Sequence, residues 1–405
     1  MRPVAKAILL GLAFAIPWEF SIELEEPLGP VARILGILLL IAAVPAVLQA
    51  GRVRRPGAMQ WAVLALFVWF CISCFWTIDA EASLLKLRAY FQEMMIVWLV
   101  WEFADTPRDL RMLLRAYVAG SWELAIITIA NFATPEAVAS GQIRFFAEGL
   151  DPNDTARFLD LGIPIAALLI DGETTWRGRI LAWGYLPLGV LAVLLTASRG
   201  GFIAAVPAMA GAAILLLPHH PRRAIAGAIV VPLLGAAIVS IVPNETQGRL
   251  NTIVQEIQGG DLNERVNIWQ QGWQAFVRAP VVGTGAGTFV DAAGLGPIDT
   301  AHNTALSIAV GGGLCALFLA TAILALAIRT AMRLRGPLAV ALATALLVWM
   351  ISSLTASTEE NRSTWLLLAV VAMAGRIAEE EPEMLAGVFP AGGSAGFPLA
   401  AGQLS

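Results

Sequence analysis

An all-α polytopic membrane protein with about twelve transmembrane helices is the fold class this sequence predicts. Three observations predict it. Of the 405 residues, 58% are hydrophobic and only 14% are charged, against about 25% charged in an ordinary soluble domain. Apolar stretches of the roughly 20 residues needed to cross a bilayer recur along most of the chain. Lysine and arginine gather in alternate connections, the pattern that sets orientation in a membrane.

The apolar segments lie near 4–20, 30–50, 57–77, 87–104, 110–131, 156–171, 179–197, 200–217, 223–243, 303–328, 337–356 and 361–377. Arg2 and Lys6 precede the first, and Ala13-Phe14-Ala15 imitates a leader-cleavage site. The run before it is short, however, and the charge alternation needs this segment, so it is read as the first helix. With the N-terminus inside, 16 of the 26 basic residues fall in inner connections, from Arg2, Lys6, Arg52, Arg54 and Arg55 to Arg329, Arg333, Arg335 and Arg376. Both chain ends are therefore expected on the cytoplasmic side.

Residues 1–243 thus hold nine helices, with an outer loop at about 132–157. A large outer loop follows at 244–302, then three more helices at 303–377. The large loop contains an expected helix, Asn263–Arg278, with Val266, Trp269, Trp273 and Phe276 at three- and four-residue spacings. Such a stripe would lie on the membrane surface or cap the bundle. Residues 378–405, opening on Glu379-Glu380-Glu381 and rich in Gly, Ala and Pro, read as a disordered cytoplasmic tail.

Composition excludes some functions. No basic domain with interleaved aromatics is present, so nucleic acid is not an expected partner. Cys71, Cys74 and Cys315 all fall in apolar stretches and read as packing residues. No outer loop carries an Asp-x-Asp pair or a His/Cys cluster, so neither a metal nor another cofactor is expected. Glu23-Leu24-Glu25-Glu26 reads as a solvated acidic turn.

A few polar residues stand out against the apolar background. His219 and His220 sit between prolines in a short inner loop, where a solvated turn explains them. His302 ends the large outer loop at the start of a helix, where it is either part of a helix cap or a general base for a sugar hydroxyl. Arg199, in Thr196-Ala197-Ser198-Arg199-Gly200-Gly201, either snorkels to headgroups or aims a guanidinium and helix-terminal amides at a phosphate. Arg265 stands four residues before Trp269, on a solvated face or stacked on that indole. Gly283-Thr284-Gly285-Ala286-Gly287 reads as a flexible turn, since no parallel-sheet unit surrounds it. Glu93 and Glu123 fall within helices, where a carboxylate is either functional or a structural hydrogen-bonding group.

The order of these motifs resembles the O-antigen ligase and Wzy-type polymerase superfamily. The resemblance rests on Ser198-Arg199-Gly200-Gly201, Arg265-x-x-x-Trp269, Pro280 to Gly285, His302-Asn303 and Gly311-Gly312-Gly313, with Arg144 and Asp151-Pro152-Asn153-Asp154 before them. It implies a GT-C-type glycosyltransferase architecture in a bacterial inner membrane, with the active site on the periplasmic side. It also implies transfer of a glycan from undecaprenyl pyrophosphate to a lipid A-core sugar hydroxyl, a metal-independent inverting step of lipopolysaccharide biosynthesis. The matching residues would make His302 the base and Arg199 and Arg265 the pyrophosphate ligands, with Arg144, Asn153, Asn303 and Trp269 contacting substrate. A Wzy-type polymerase, which would use the same residues, is the alternative. A transporter or flippase gains from Glu93 and Glu123 but leaves the grouped outer motifs unexplained.

Overall fold

The structure, a computed structural model, describes residues 1–21, 23–24, 29–134, 144–218, 220–222, 225, 265–296 and 300–390. The first group of helices is α1 (Arg2–Ala15), α2 (Val31–Ala50), α3 (Ala58–Ser73), α4 (Ala80–Phe103) and α5 (Pro107–Phe132). Then come α6 (Pro152–Leu169), α7 (Trp176–Leu195), α8 (Arg199–Leu216), α9 (Arg265–Arg278) and α10 (Phe289–Ala293). The last are α11 (Thr304–Arg333), α12 (Gly336–Ser353), α13 (Arg362–Glu380) and α14 (Pro382–Val388). A short hairpin pairs Glu23–Leu24 with Gly29–Pro30, which places part of the expected acidic turn in backbone pairing. Local signals set several starts. Asp79 caps α4 by accepting from the Ala82 amide at 2.9 Å, and Thr106 opens α5 in a capping box with Asp109, Pro107 following it.

Each expected apolar segment coincides with a helix except 223–243, which lies outside the described residues apart from Ile225. Among the described residues six helices are long and apolar enough to cross a membrane: α2, α5, α7, α8, α11 and α12, while α3 is apolar but shorter. Several of the others carry charge. α6 buries every residue from Thr155 to Leu169, and α13 every residue from Arg362 to Ile377 except Gly375. α6 is wrapped by α5, α7, α8 and α12, and α13 packs on α4, α5, α11 and α12. Helices enclosed by protein can hold Arg157, 1% exposed, and Asp160, 0% exposed, away from lipid.

The connections expected to be inner meet at one end of the bundle. Arg2 reaches Glu102 at 3.1 Å, Lys6 reaches Asp109 at 2.8 Å, and Arg54 reaches Asp105 at 2.7 Å. Arg376 donates to the Ala104 carbonyl at 2.6 Å. Partly exposed pairs of this kind contribute at most about 1 kcal/mol each, so their effect is on registration more than on stability. The last spanning segment runs past its expected end, to Glu380, and α14 follows it. Arg111 donates to the Val388 carbonyl at 2.9 Å, and Phe389 is buried. The expected disordered tail is therefore folded as far as residue 390, because Leu385 and Phe389 have apolar surface to cover; 391–405 lie outside the described residues.

α11 is broken at Gly313, whose backbone is non-helical at φ 66°. The glycine turn read as flexible is docked into that break. Thr284 N donates to Val310 O and Gly285 N to Gly311 O, both at 2.9 Å, and Leu314 N donates to Pro280 O at 2.8 Å. Trp69 donates to Gly312 O at 2.8 Å. On its far side, the turn binds α4 through Ser83 Oγ and Ala286 O at 2.7 Å. A Cβ on Gly313 would strike Val281 O, and one on Gly283 would strike Gly311 O. Gly313→Ala is therefore expected to destabilise by roughly 3 kcal/mol or more, combining clash with left-handed strain. Gly294→Ala, at φ +68° in open space, should cost only about 1 kcal/mol. Thermal unfolding of both in one detergent checks this; equal shifts would contradict the docking.

Candidate functional site

The opposite end of the bundle gathers the residues singled out in the sequence. α7 stops at Leu195, and Ala197 turns the chain with φ 47°. Ser198 then caps α8, its Oγ accepting from Gly201 N at 3.1 Å. The same hydroxyl donates to Asn153 Oδ1 at 2.7 Å. Arg144 donates through Nη2 to that oxygen and through Nε to Thr196 O, each at 3.2 Å. Asp151 holds Asn153 in turn, its Oδ1 accepting from the backbone and side-chain nitrogens at 2.7 Å. Arg144 and Asn153, expected to contact substrate, thus brace the turn that presents Arg199.

A second set of contacts brings His302 to the same place. Gly200 lies against Thr355, in the α12–α13 connection; a Cβ there would sit 2.9 Å from Thr355 Oγ1. Thr304 binds that connection twice, donating to Ala356 O at 2.9 Å and accepting from Thr358 N at 2.8 Å. Asn303 Oδ1 accepts from Leu306 N at 2.9 Å, so the capping role belongs to Asn303. His302, just before it, has φ 46°. Ala197 and His302 are the non-glycine residues with positive φ among those described. Left-handed backbone costs an ordinary residue about 1–2 kcal/mol. Both lie where the surrounding contacts hold the backbone in place.

The third element is α9. Trp269 donates its indole N–H to Ala301 O at 3.0 Å, tying α9 to the residue before His302. The expected stripe divides differently from its spacing. Ile268 and Ala275 bury against Phe289, Ala301 and Val310, with Trp269 and Phe276 partly covered. Val266 and Trp273 stay exposed, Trp273 at 59%, because the face toward α11 is narrow. Residues 263 and 264 of the expected helix lie outside the described residues.

Arg265 opens α9 in the fields of Asp151 and Arg199. Burial pushes its guanidinium below the usual arginine range, Arg199 adds to this, and Asp151 opposes it. Arg265 and Arg199 thus lie in each other's field with Asp151, and guanidiniums are the side chains best suited to grip a phosphate. Among the described residues no group of three or more His, Cys, Asp and Glu side chains gathers as a metal site.

Beside the site lies a partly buried ionic layer that the sequence motifs did not mark. Lys86 pairs with Glu360, and Arg362 with Glu19. Arg362 also donates to Gln92 at 3.2 Å. Glu93, 3% exposed, sits between the two pairs in their fields. Glu123 is half-buried on α5. The available signal was the pair Glu359-Glu360 opening a segment otherwise apolar. His220, read as solvated, pairs with Asp171 at 2.8 Å toward the basic end.

The O-antigen ligase family model matches residues 184–321. That span takes in Arg199, Arg265, Trp269, His302 and Asn303, whereas Arg144 and Asn153 precede it. No curated protein matches the chain. Asn153→Ala removes the acceptor shared by Arg144 and Ser198 and is expected to cost about 1–3 kcal/mol. Thermal unfolding in detergent checks it, and an unchanged midpoint would mean the brace is dispensable.

Proposed function

We propose, from the match of the O-antigen ligase family model to residues 184–321, that the chain is an O-antigen ligase. In this reading it transfers a glycan from undecaprenyl pyrophosphate to a sugar hydroxyl of lipid A-core. The observation that carries the reading is the meeting of three elements at one end of the bundle. The α8 start brings Arg199, the α9 start brings Arg265, and the α11 start brings His302. This end would face the periplasm of an inner-membrane protein, because the opposite end holds the basic connections and would face the cytoplasm.

The chemistry follows from those groups. The acceptor oxygen attacks the anomeric carbon as the bond to the pyrophosphate oxygen breaks, and the configuration inverts. His302 takes the proton from the hydroxyl. Negative charge grows on the departing pyrophosphate, where Arg199 and Arg265 offset it without a divalent ion. Trp269 fixes α9 against the Ala301 carbonyl, just before His302, keeping base and cations in register. The deciding experiment incubates purified protein with lipid-linked glycan and lipid A-core. Glycan on lipid A-core supports the ligase, whereas glycan lengthened on the carrier would make the protein a polymerase.

His302→Ala is expected to abolish transfer while leaving the protein folded, with lipid-linked donor accumulating in cells. Near-normal modification of lipid A-core by this variant would remove His302 from the mechanism. Arg265→Lys and Arg199→Lys keep the charge but lose two-point contact with phosphate oxygens. Loss of about 3 kcal/mol of transition-state contact corresponds to roughly a hundredfold in rate. Parental rates in both lysine variants would reduce these arginines to membrane anchors.

A further inference from the structure

α6 carries a carboxyl that takes no part in the hydrogen bonding of the bundle. Asp160 is 0% exposed, and neither of its carboxyl oxygens has a hydrogen-bond partner among the described residues. At a helical rise of 1.5 Å per residue it stands roughly 10 Å beyond Asn153 along α6, in a helix enclosed by α5, α7, α8 and α12. Arg157, one turn before it, is paired with Asp154 at 2.8 Å instead. An ionised carboxylate left alone in such a place is costly, so it calls for a counter-charge.

The groups near Asp160 are oxygens whose protons are already committed elsewhere. Tyr117 Oη donates to Phe158 O at 3.1 Å, and Tyr185 Oη donates to Leu159 O at 2.8 Å. Ser121 stands against both phenols, and its Oγ donates to Tyr117 O at 3.0 Å. Both phenols lie in the field of Asp160. Pro164, inside α6, has no N–H, so the Asp160 carbonyl loses its helical donor. Two glycines leave room for Tyr185 here. A Cβ on Gly162 would sit 2.6 Å from its Oη, and one on Gly189 would sit 3.0 Å from its ring. Hydroxyls that donate elsewhere, a carbonyl without its amide and an unpartnered carboxyl all offer lone pairs.

We propose that Asp160 and these oxygens hold a monovalent alkali-metal ion inside the bundle, bridging α5, α6 and α7. A single carboxylate balances a single positive charge, whereas a divalent ion would leave net charge among enclosed helices. Backbone carbonyls released where a membrane helix loses its regular hydrogen bonds are suited to such ions. The ion would tie Tyr117, Ser121 and Tyr185 to α6 below Asn153, the residue that accepts from Arg144 and Ser198. It lies apart from the reacting groups and is independent of the transferase reading.

Thermal unfolding of the purified full chain in detergent tests this, with sodium, potassium or choline chloride at equal ionic strength. The midpoint should rise and saturate with sodium or potassium but not with choline, because the ion binds the folded bundle alone. Asp160→Asn keeps the shape without the charge, and its midpoint should be indifferent to the alkali ion. Tyr185→Phe keeps the charge but removes one ligand oxygen, and should need about tenfold more salt for half the rise. A parent with the same midpoint in every salt would overturn the site, since Asp160 would then be a neutral acid. A parental salt response in Asp160→Asn, or saturation by magnesium but by neither alkali ion, would also overturn it. A parental salt requirement in Tyr185→Phe would take the ion away from these hydroxyls and overturn the ligand set. If Asp160→Asn does not fold, binding of radioactive sodium or rubidium to the parent decides the matter. Saturable binding displaced by the unlabelled alkali ion but not by choline supports the site, and its absence sinks it.

Discussion

Backbone amides that leave a helix inside an apolar bundle must find another partner, and the break in α11 shows how this chain meets that requirement. Residues 280–285 supply donors and an acceptor to Val310, Gly311 and Leu314, so the non-helical turn at Gly313 stays paired. The consequence reaches well beyond the break. The docked segment is the direct continuation of α9, so its position limits where Arg265 and Trp269 can stand. The other half of the same broken helix begins at Thr304, immediately after His302. One set of backbone hydrogen bonds therefore registers the helix bearing Arg265 against the helix start that follows His302. Side chains alone would hold such a spacing loosely, since a surface helix such as α9 has only a narrow buried face.

The remaining polar groups obey a related economy. Charges at the basic end stay half-exposed and paired, where they cost little. Charges within the bundle lie on α6 and α13, which other helices enclose, or in the layer where Lys86 meets Glu360 and Arg362 meets Glu19. Removing one partner from the buried Arg362–Glu19 pair leaves an uncompensated ion, so these two residues depend on one another more than they stabilise the fold outright.

At the site itself, the contacts separate bracing from presentation. Arg144, Asn153 and Ser198 satisfy one another and the Thr196 carbonyl. Arg199 and Arg265 lie in each other's field, with Asp151 nearby. Like charges held together in a partly buried place favour an incoming anion. Left-handed backbone at Ala197 and His302 indicates that the surrounding structure determines these two positions strongly enough to carry local strain.

Apolar runs of bilayer length, and the alternation of basic connections, made the helical membrane class legible in the sequence because both are local properties of composition and spacing. Arg199 and His302 stand out for a similar reason, as polar residues next to long apolar runs. Tertiary structure alone placed Arg144 on Asn153 and the Thr196 carbonyl, since an arginine's acceptors cannot be read from its own segment. It also decided that Gly283 to Gly287 is a docked wedge, because the partner amides lie across a break in a distant helix. The enclosed position of α6 and α13 belongs to the same category. Spacing along one segment says which residues share a face. What covers that face depends on helices remote in the chain, and only their packing determines it.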